Sequence, residues 1–271
     1  MYPYARKTVL KIRYRCVYIQ QRITPADPKC RLCGLFDGHA HLLGACKHPI
    51  MHGMICTKHN EGGQLVLHAF RQRSKFGGSC AVLANVGTSD TVRSESTCPA
   101  WLRLTNYTKC PDILIIKGWT QEDLDAGVFP SPADAVQLIF IEYKTCSDYL
   151  FPECQQLIWD KYTPTQHSPP PVPPFAPTRN LFTELRSEGW DVLGLTPTGS
   201  VTSSGDRMLT IRCGHGAFIL RETVRDVFET ALQLSTAASL RLAKDLMKHQ
   251  TLHAAKLFRT AHTLKLSTNN G

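Results

Sequence analysis

The sequence predicts an α/β (α+β) chain, a mixed central sheet flanked by helices, with a small metal-binding module in front of it. Three observations carry this. "PDILIIKGW" (111–119) and "AVQLIFIEYK" (135–144) are rich in isoleucine and bounded by Gly and Pro, the pattern of buried strands. "RETVRDVFETALQL" (221–234) sets Val224, Val227, Phe228, Ala231 and Leu232 on one side of a helix. "CRLCGLFDGHAHLLGAC" (30–46) gathers thiols and imidazoles at metal-ligand spacing.

Taken in order, residues 1–24 read as a basic helical linker. Within it "TVLKIRYRCVYIQQRI" (8–23) spaces Val9, Ile12, Cys16 and Ile19 as a helix does. Arg6, Lys7, Lys11, Arg13, Arg15 and Arg22 face no acid in the first 26 residues, a composition that a mitochondrial transit peptide shares. Pro25 and Pro28 end this run and open the module at 25–60 with its following helix. Residues 50–73 read as helix in two pieces, joined at Gly62 and Gly63. The span 61–109 is expected to be helix and then flexible loop, since 74–109 is rich in Gly, Ser and Thr with little periodicity.

The core is expected at 110–235. After its first two strands, "FPECQQLIWDKY" (151–162) reads as a helix with Pro152 in the first turn. A proline-rich insertion at 163–180 follows; its "HSPPPVPPFAP" suits neither helix nor sheet interior. "GWDVLGLTP" (189–197) and "MLTIRC" (208–213) are a third and a fourth strand. The span 236–271 is a basic helical tail with Arg241, Lys244, Lys248, Lys256, Arg259 and Lys265. Such a helix can track a phosphate backbone. The alternative is a solvated face on a helix packed through Leu240, Leu246 and Leu257.

The 271 residues are 42% hydrophobic, enough for one sizeable core or a domain with a small satellite. A net charge of +9 favours an anionic partner, nucleic acid being the commonest. The absence of any bilayer-length apolar segment argues against a membrane-spanning helix. No signal-peptide core follows Met1, and the 11 cysteines are an odd count. A reducing, intracellular setting is expected, with clustered thiols serving as metal ligands before disulfides.

Cys30, Cys33, His41 and Cys46 spell C-x2-C-x7-H-x4-C. The C-x2-C turn sets two thiolates on one face of an ion, and a His and a Cys can complete the tetrahedron of a structural Zn²⁺ site. His39, His48 and His52 are close enough in sequence to stand in for His41. Chance clustering in a cysteine-rich chain is the other reading.

Glu142 and Lys144 share one face of a strand, because side chains alternate. Asp112 opens the neighbouring strand. If these strands pair, two carboxylates meet beside an amine. Two such carboxylates suit Mg²⁺ or Mn²⁺, and the lysine suits a water or a developing negative charge. This is a phosphodiester hydrolysis site in outline. The plainer alternative is an exposed ion pair at a strand end, a contact of about 0–1 kcal/mol that needs no function.

The order of motifs is itself informative: the cysteine set, then "TKHNEGG", "CPDILII", "FIEYK" and a Gln-bearing helix. Across roughly 8–234 this resembles the C-terminal part of non-LTR retrotransposon polyproteins, in which a CCHC zinc knuckle and a PD-(D/E)xK restriction-endonuclease-like domain follow the reverse transcriptase. This chain carries no reverse-transcriptase segment. The resemblance implies that Cys30, Cys33, His41 and Cys46 are the knuckle. It implies that Lys58, His59 and Asn60 form the basic-His-Asn motif on the nucleic acid, and that Asp112, Glu142 and Lys144 are the catalytic set. Gln155 or Gln156 would lie on the helix behind the site. The implied activity is a nick in target DNA that primes reverse transcription. The implied cofactors are structural Zn²⁺ and catalytic Mg²⁺ or Mn²⁺. The implied partners are DNA and element RNA, in the nucleus, with no membrane and no small-molecule substrate. A catalytically inactive nucleic-acid-binding remnant, or a purely structural zinc protein, would keep the same cysteines.

Overall fold

The computed structural model describes residues 3–13, 26–38, 40–76, 79–84, 100–102, 111–146, 158, 181–195, 200–203 and 208–267. Helix α1 spans Pro3–Arg13, beginning before the periodic run at 8–23, whose end lies outside the described residues. A single turn, α2, spans His41–Gly44, and α3 spans Pro49–Arg73. Strand β1 (Cys80–Ala84) precedes β2 (Ile113–Lys117). Helix α4 (Gln121–Asp125) leads to β3 (Gln137–Cys146), and α5 (Leu181–Ser187) leads to β4 (Asp191–Leu195). The short β5 (Val201–Thr202), then β6 (Leu209–Gly214) and β7 (Phe218–Ile219) follow. Helices α6 (Thr223–Ala231) and α7 (Thr236–Ser267) close the order.

These strands form one seven-stranded mixed sheet, open and flanked by helices. β1 pairs antiparallel with β2, and β2 antiparallel with β3. On its other edge the ten-residue β3 pairs in parallel with two strands in succession: β4 along Gln137–Ile139, and β6 along Ile141–Cys146. The sheet forks beside Phe140. All four strands expected from the sequence are present. β1 is an addition, in a stretch read as loop. It is an apolar edge strand whose Val82 N–H donates to the Gln121 side chain, 2.8 Å away, at the start of α4.

Each sheet face carries its own core, as strand alternation requires. Ile113, Ile115, Ile139, Ile141, Tyr143, Leu209 and Ile211 face α3, α6 and α7. Leu114, Ile116, Leu138, Phe140 and Val192 face Phe182 and Leu185 of α5, with Ile158. A third cluster joins Ile12, Leu42, Leu43 and Met51 to Ala254, Leu257 and Ala261 of α7.

Two expectations change. The span 50–73 is one helix of 25 residues, starting with Pro49 in its first turn and running across the expected boundary at 60/61. Gly62 is not a joint in it but a notch: a Cβ there would lie 2.7 Å from Tyr143 Cε1, well inside contact distance. The tail, in turn, is a core element. Leu242, Leu246 and Leu257 of α7 are buried, while Leu240, expected on the packed face, is 51% exposed. Helix α6 matches its predicted apolar face, but with wider turns: the Leu232 N–H donates to Val227 O, five residues back.

Gly62→Ala is expected to lower stability by about 1–3 kcal/mol, as overpacking does. Gly53→Ala is the control, since a Cβ at Gly53 meets nothing within 4 Å. It should raise stability by about 0.5–1 kcal/mol through helix propensity. Urea midpoints of the two variants check both signs.

Candidate functional site

The cysteine module is built by short-range geometry. Pro28 to Phe36 form a small hairpin, with Lys29 bridged to Phe36. Its turn closes through Gly34, whose N–H donates to Cys30 O at 2.7 Å and whose φ of +74° suits glycine. The turn brings Cys33 beside Cys30, and α2 supplies His41. The ligand atoms of Cys30, Cys33, His41 and Cys46 all lie within 4.8 Å of one another. Cys33 Sγ is 3.2 Å from His41 Nε2 and 3.9 Å from Cys46 Sγ. Cys30, His41 and Cys46 are buried. This set could hold a metal ion such as Zn²⁺, and its three sulfur donors and one imidazole are the donors that ion prefers. Burial pushes the Cys46 thiol up to about 12, so the sulfur would ionise there only with a cation to offset desolvation. Of the alternative histidines, His39 lies outside the described residues, and His52 Nε2 lies 3.7 Å from Cys56 Sγ instead.

The second constellation sits where the β2–β3 ladder ends. Ile113 pairs with Ile141, so the next position across the ladder is Asp112 against Glu142. Asp112 Oδ2 accepts from the Tyr143 N–H at 2.8 Å. From α3, His59 Nε2 lies 2.7 Å from Tyr143 O and 3.3 Å from Asp112 Oδ2. Both neighbours are acceptors, so the proton belongs on Nε2. Glu142 is fully buried, and its Oε2 lies 3.1 Å from Lys144 Nζ, which is about one-third exposed at 35%.

The electrostatics bind these groups together. Burial pushes the Asp112 carboxyl up, but hydrogen bonding and charge from His59, aided by Lys144, outweigh it and leave the group below its usual value. Burial pushes His59 down, and the hydrogen bond and charge of Asp112 outweigh that, so its pKa is raised. Across the other ladder, Glu142 pairs with Thr210 and Lys144 with Arg212. Alternation puts Thr210 and Arg212 on the same face as Glu142 and Lys144, opposite Leu209, Ile211 and Cys213. Arg212 was not singled out from the sequence. Its signal was the polar alternation within "MLTIRC".

Two further expected site residues, Lys58 and Asn60, are placed by the structure, and two, Gln155 and Gln156, are not. Lys58 does not face a nucleic acid: it is buried at 1% exposure, and its Nζ donates to Leu43 O at 2.6 Å. Burial lowers its pKa to about 7. It joins α3 to the cysteine module, beside the buried His215, whose Nδ1 lies 3.4 Å away. Asn60 is half-buried on α3, its Oδ1 3.4 Å from His59 Nδ1. Gln155 and Gln156 lie outside the described residues, as does the proline-rich stretch.

Compared with known protein families, curated proteins and solved structures, the chain matches none. Among the described residues no helix is long and apolar enough to cross a membrane.

Two measurements follow. Co²⁺ added to metal-free protein should give strong near-ultraviolet thiolate-to-cobalt absorption, much reduced in Cys33→Ser. The His59 imidazole should titrate in NMR above the ordinary value of about 6.5. In Asp112→Asn its midpoint should fall, because burial then acts against a weaker partner. The sign for stability has two parts. With His59 raised, its contribution is complete below about 6.5 and is lost as pH rises through the folded value. With Asp112 lowered, its contribution is present above about 3.9 and is lost as pH falls through the folded value. The pair is therefore strongest between about pH 4 and 6.5.

Proposed function

We propose that the chain is a metal-dependent DNA endonuclease module of retrotransposon type, a restriction-endonuclease-like core joined to a zinc knuckle at Cys30, Cys33, His41 and Cys46. One observation carries the reading. Asp112, the residue before β2, continues the β2–β3 register to the position opposite Glu142, whose Oε2 lies 3.1 Å from Lys144 Nζ, with His59 against Asp112.

The all-oxygen pair of Asp112 and Glu142 fits a hard cation such as Mg²⁺ or Mn²⁺. Among the described residues no tight set of three Asp, Glu, His or Cys donors includes them, so a cation held there would keep waters. When bound, it supplies Lewis-acid stabilisation of phosphate charge and a more acidic water. The chain's own residues do the rest. His59 and the Tyr143 N–H fix the Asp112 carboxylate through Oδ2. The buried Glu142 holds the amine of Lys144 at the edge of the site. From there the ammonium group orients the attacking water or meets charge developing on the phosphate. Arg212, in register beside Lys144, adds a second cation on the phosphate side. His59 acts through Asp112 and is a positioning residue. The exposed Arg241, Lys244, Lys248, Lys256 and Arg259 of α7 offer charge to a phosphate backbone. The product of this chemistry is a nicked strand whose 3′ hydroxyl primes copying of element RNA.

Supercoiled plasmid with Mg²⁺ or Mn²⁺ tests this directly. The wild type should nick it, and Lys144→Ala should nick at least about 100-fold more slowly, the scale of losing one preorganised charge-stabilising group. Equal background in both overturns the reading. The exposed basic row of α7 favours a second reading, a nucleic-acid-binding remnant. A salt-sensitive gel shift without nicking, unchanged in Lys144→Ala, would select it.

A further inference from the structure

A second set of metal-ligand side chains lies away from both the cysteine cluster and Asp112. His249 and His253 are one turn apart on α7, so they share a face. Their ring centroids are 4.4 Å apart. Glu61 of α3 meets them. Its Oε2 lies 2.8 Å from His253 Nε2 and 3.8 Å from His249 Nδ1. One ligand atom from each of the three falls within 4.8 Å of the others.

The proton on His249 is fixed by its surroundings. Its Nε2 lies 2.8 Å from Lys58 O, a group that only accepts, so the neutral ring carries its hydrogen there. The Nδ1 lone pair is then directed at the side where Glu61 and His253 meet. A ring N–H held by a backbone carbonyl is how proteins orient a metal-binding imidazole. Both histidines are buried, whereas the Glu61 side chain is 55% exposed, so the set is closed beneath and open to water above. Lys256 opposes a cation here, and the Glu61 carboxylate compensates.

We propose that Glu61, His249 and His253 form a second divalent-metal site, taking Zn²⁺ through two imidazoles and one carboxylate with a coordination position left for water. The donor set excludes the all-oxygen preference of Mg²⁺ and the thiolate preference of soft ions. Three protein ligands and an open position are within the usual range for Zn²⁺. Binding here joins α3 to α7 two residues beyond His59, and it needs neither the cysteine site nor nuclease activity.

Co²⁺ is the probe, added to metal-free full-length chain and followed by visible absorption and by metal analysis after gel filtration. In Cys33→Ser, where thiolate absorption is much reduced, one equivalent should still bind with weak visible bands and no thiolate charge transfer of its own. Adding Glu61→Gln to that variant should weaken this equivalent at least about tenfold, since even a supporting partner contributes 10–100-fold to metal affinity. Glu61 is exposed and Gln has its shape, so the fold should survive, which circular dichroism checks. His253→Gln is the second variant and should have the same effect. If Cys33→Ser binds no Co²⁺, or binds it equally with and without Glu61, the site is overturned and the three side chains form only a hydrogen-bonded cluster.

Discussion

Tyr143 is the point on which the other contacts depend. Its N–H holds Asp112, its carbonyl holds His59, and its hydroxyl accepts from Gln250 Nε2 of α7 at 2.9 Å. Its ring fills the notch at Gly62. One residue on a central strand thus sets the distance of α3 from the sheet, the position of α7 over both, and the orientation of the two side chains nearest the ladder end. The ring and the hydroxyl are fully buried, so this hydroxyl must be satisfied inside the protein. Gln250 and Cys213, which also hydrogen-bonds to it, do so. The geometry at the ladder end is therefore inherited from a packing constraint on the opposite face of the same strand.

The fork in the sheet has a related effect. β4 covers only the first residues of β3, and β6 takes over beyond Phe140. Glu142 is therefore enclosed on both sides, with Asp112 at the end of the β2 ladder on one and β6 on the other. An ionised carboxylate in that position is costly unless a cation is near. Lys144, two residues on and on the same face, meets that need. Such a pair is worth more for fixing a geometry than for stability, and removing Lys144 leaves the Glu142 charge buried without it.

How far the sequence revealed this depended on whether a signal was local. The cysteine set was legible because a hairpin and one turn of helix bring its ligands together. β2, β3, β4 and β6 were legible from β-branched runs with clear boundaries. β1 was not: "CAVLA" is five residues within Gly- and Ser-rich surroundings, and it becomes a strand by pairing with β2. Gly62 read as a helix breaker because its reason for being glycine is a tyrosine 81 positions away. Lys58 was expected on the nucleic acid because nothing nearby in sequence reveals Leu43 O as its partner. Alternation and motif order gave Asp112, Glu142 and Lys144. They could not give Arg212, which depends on which strand lies beside β3. Nor could they relate Glu61 to His249 and His253, which are brought together by helix packing alone.

Helix α7 spans about 48 Å at about 1.5 Å per residue over its 32 residues. It closes the sheet core with Leu242 and Leu246 near one end, and the core of the cysteine module with Leu257 and Ala261 near the other. It also follows every described strand in the chain. During synthesis, then, the sheet and the cysteine module emerge with apolar faces uncovered, and neither is sealed until this one helix follows them. Until that helix emerges both surfaces are open to aggregation, and the two parts complete their folding together rather than in turn.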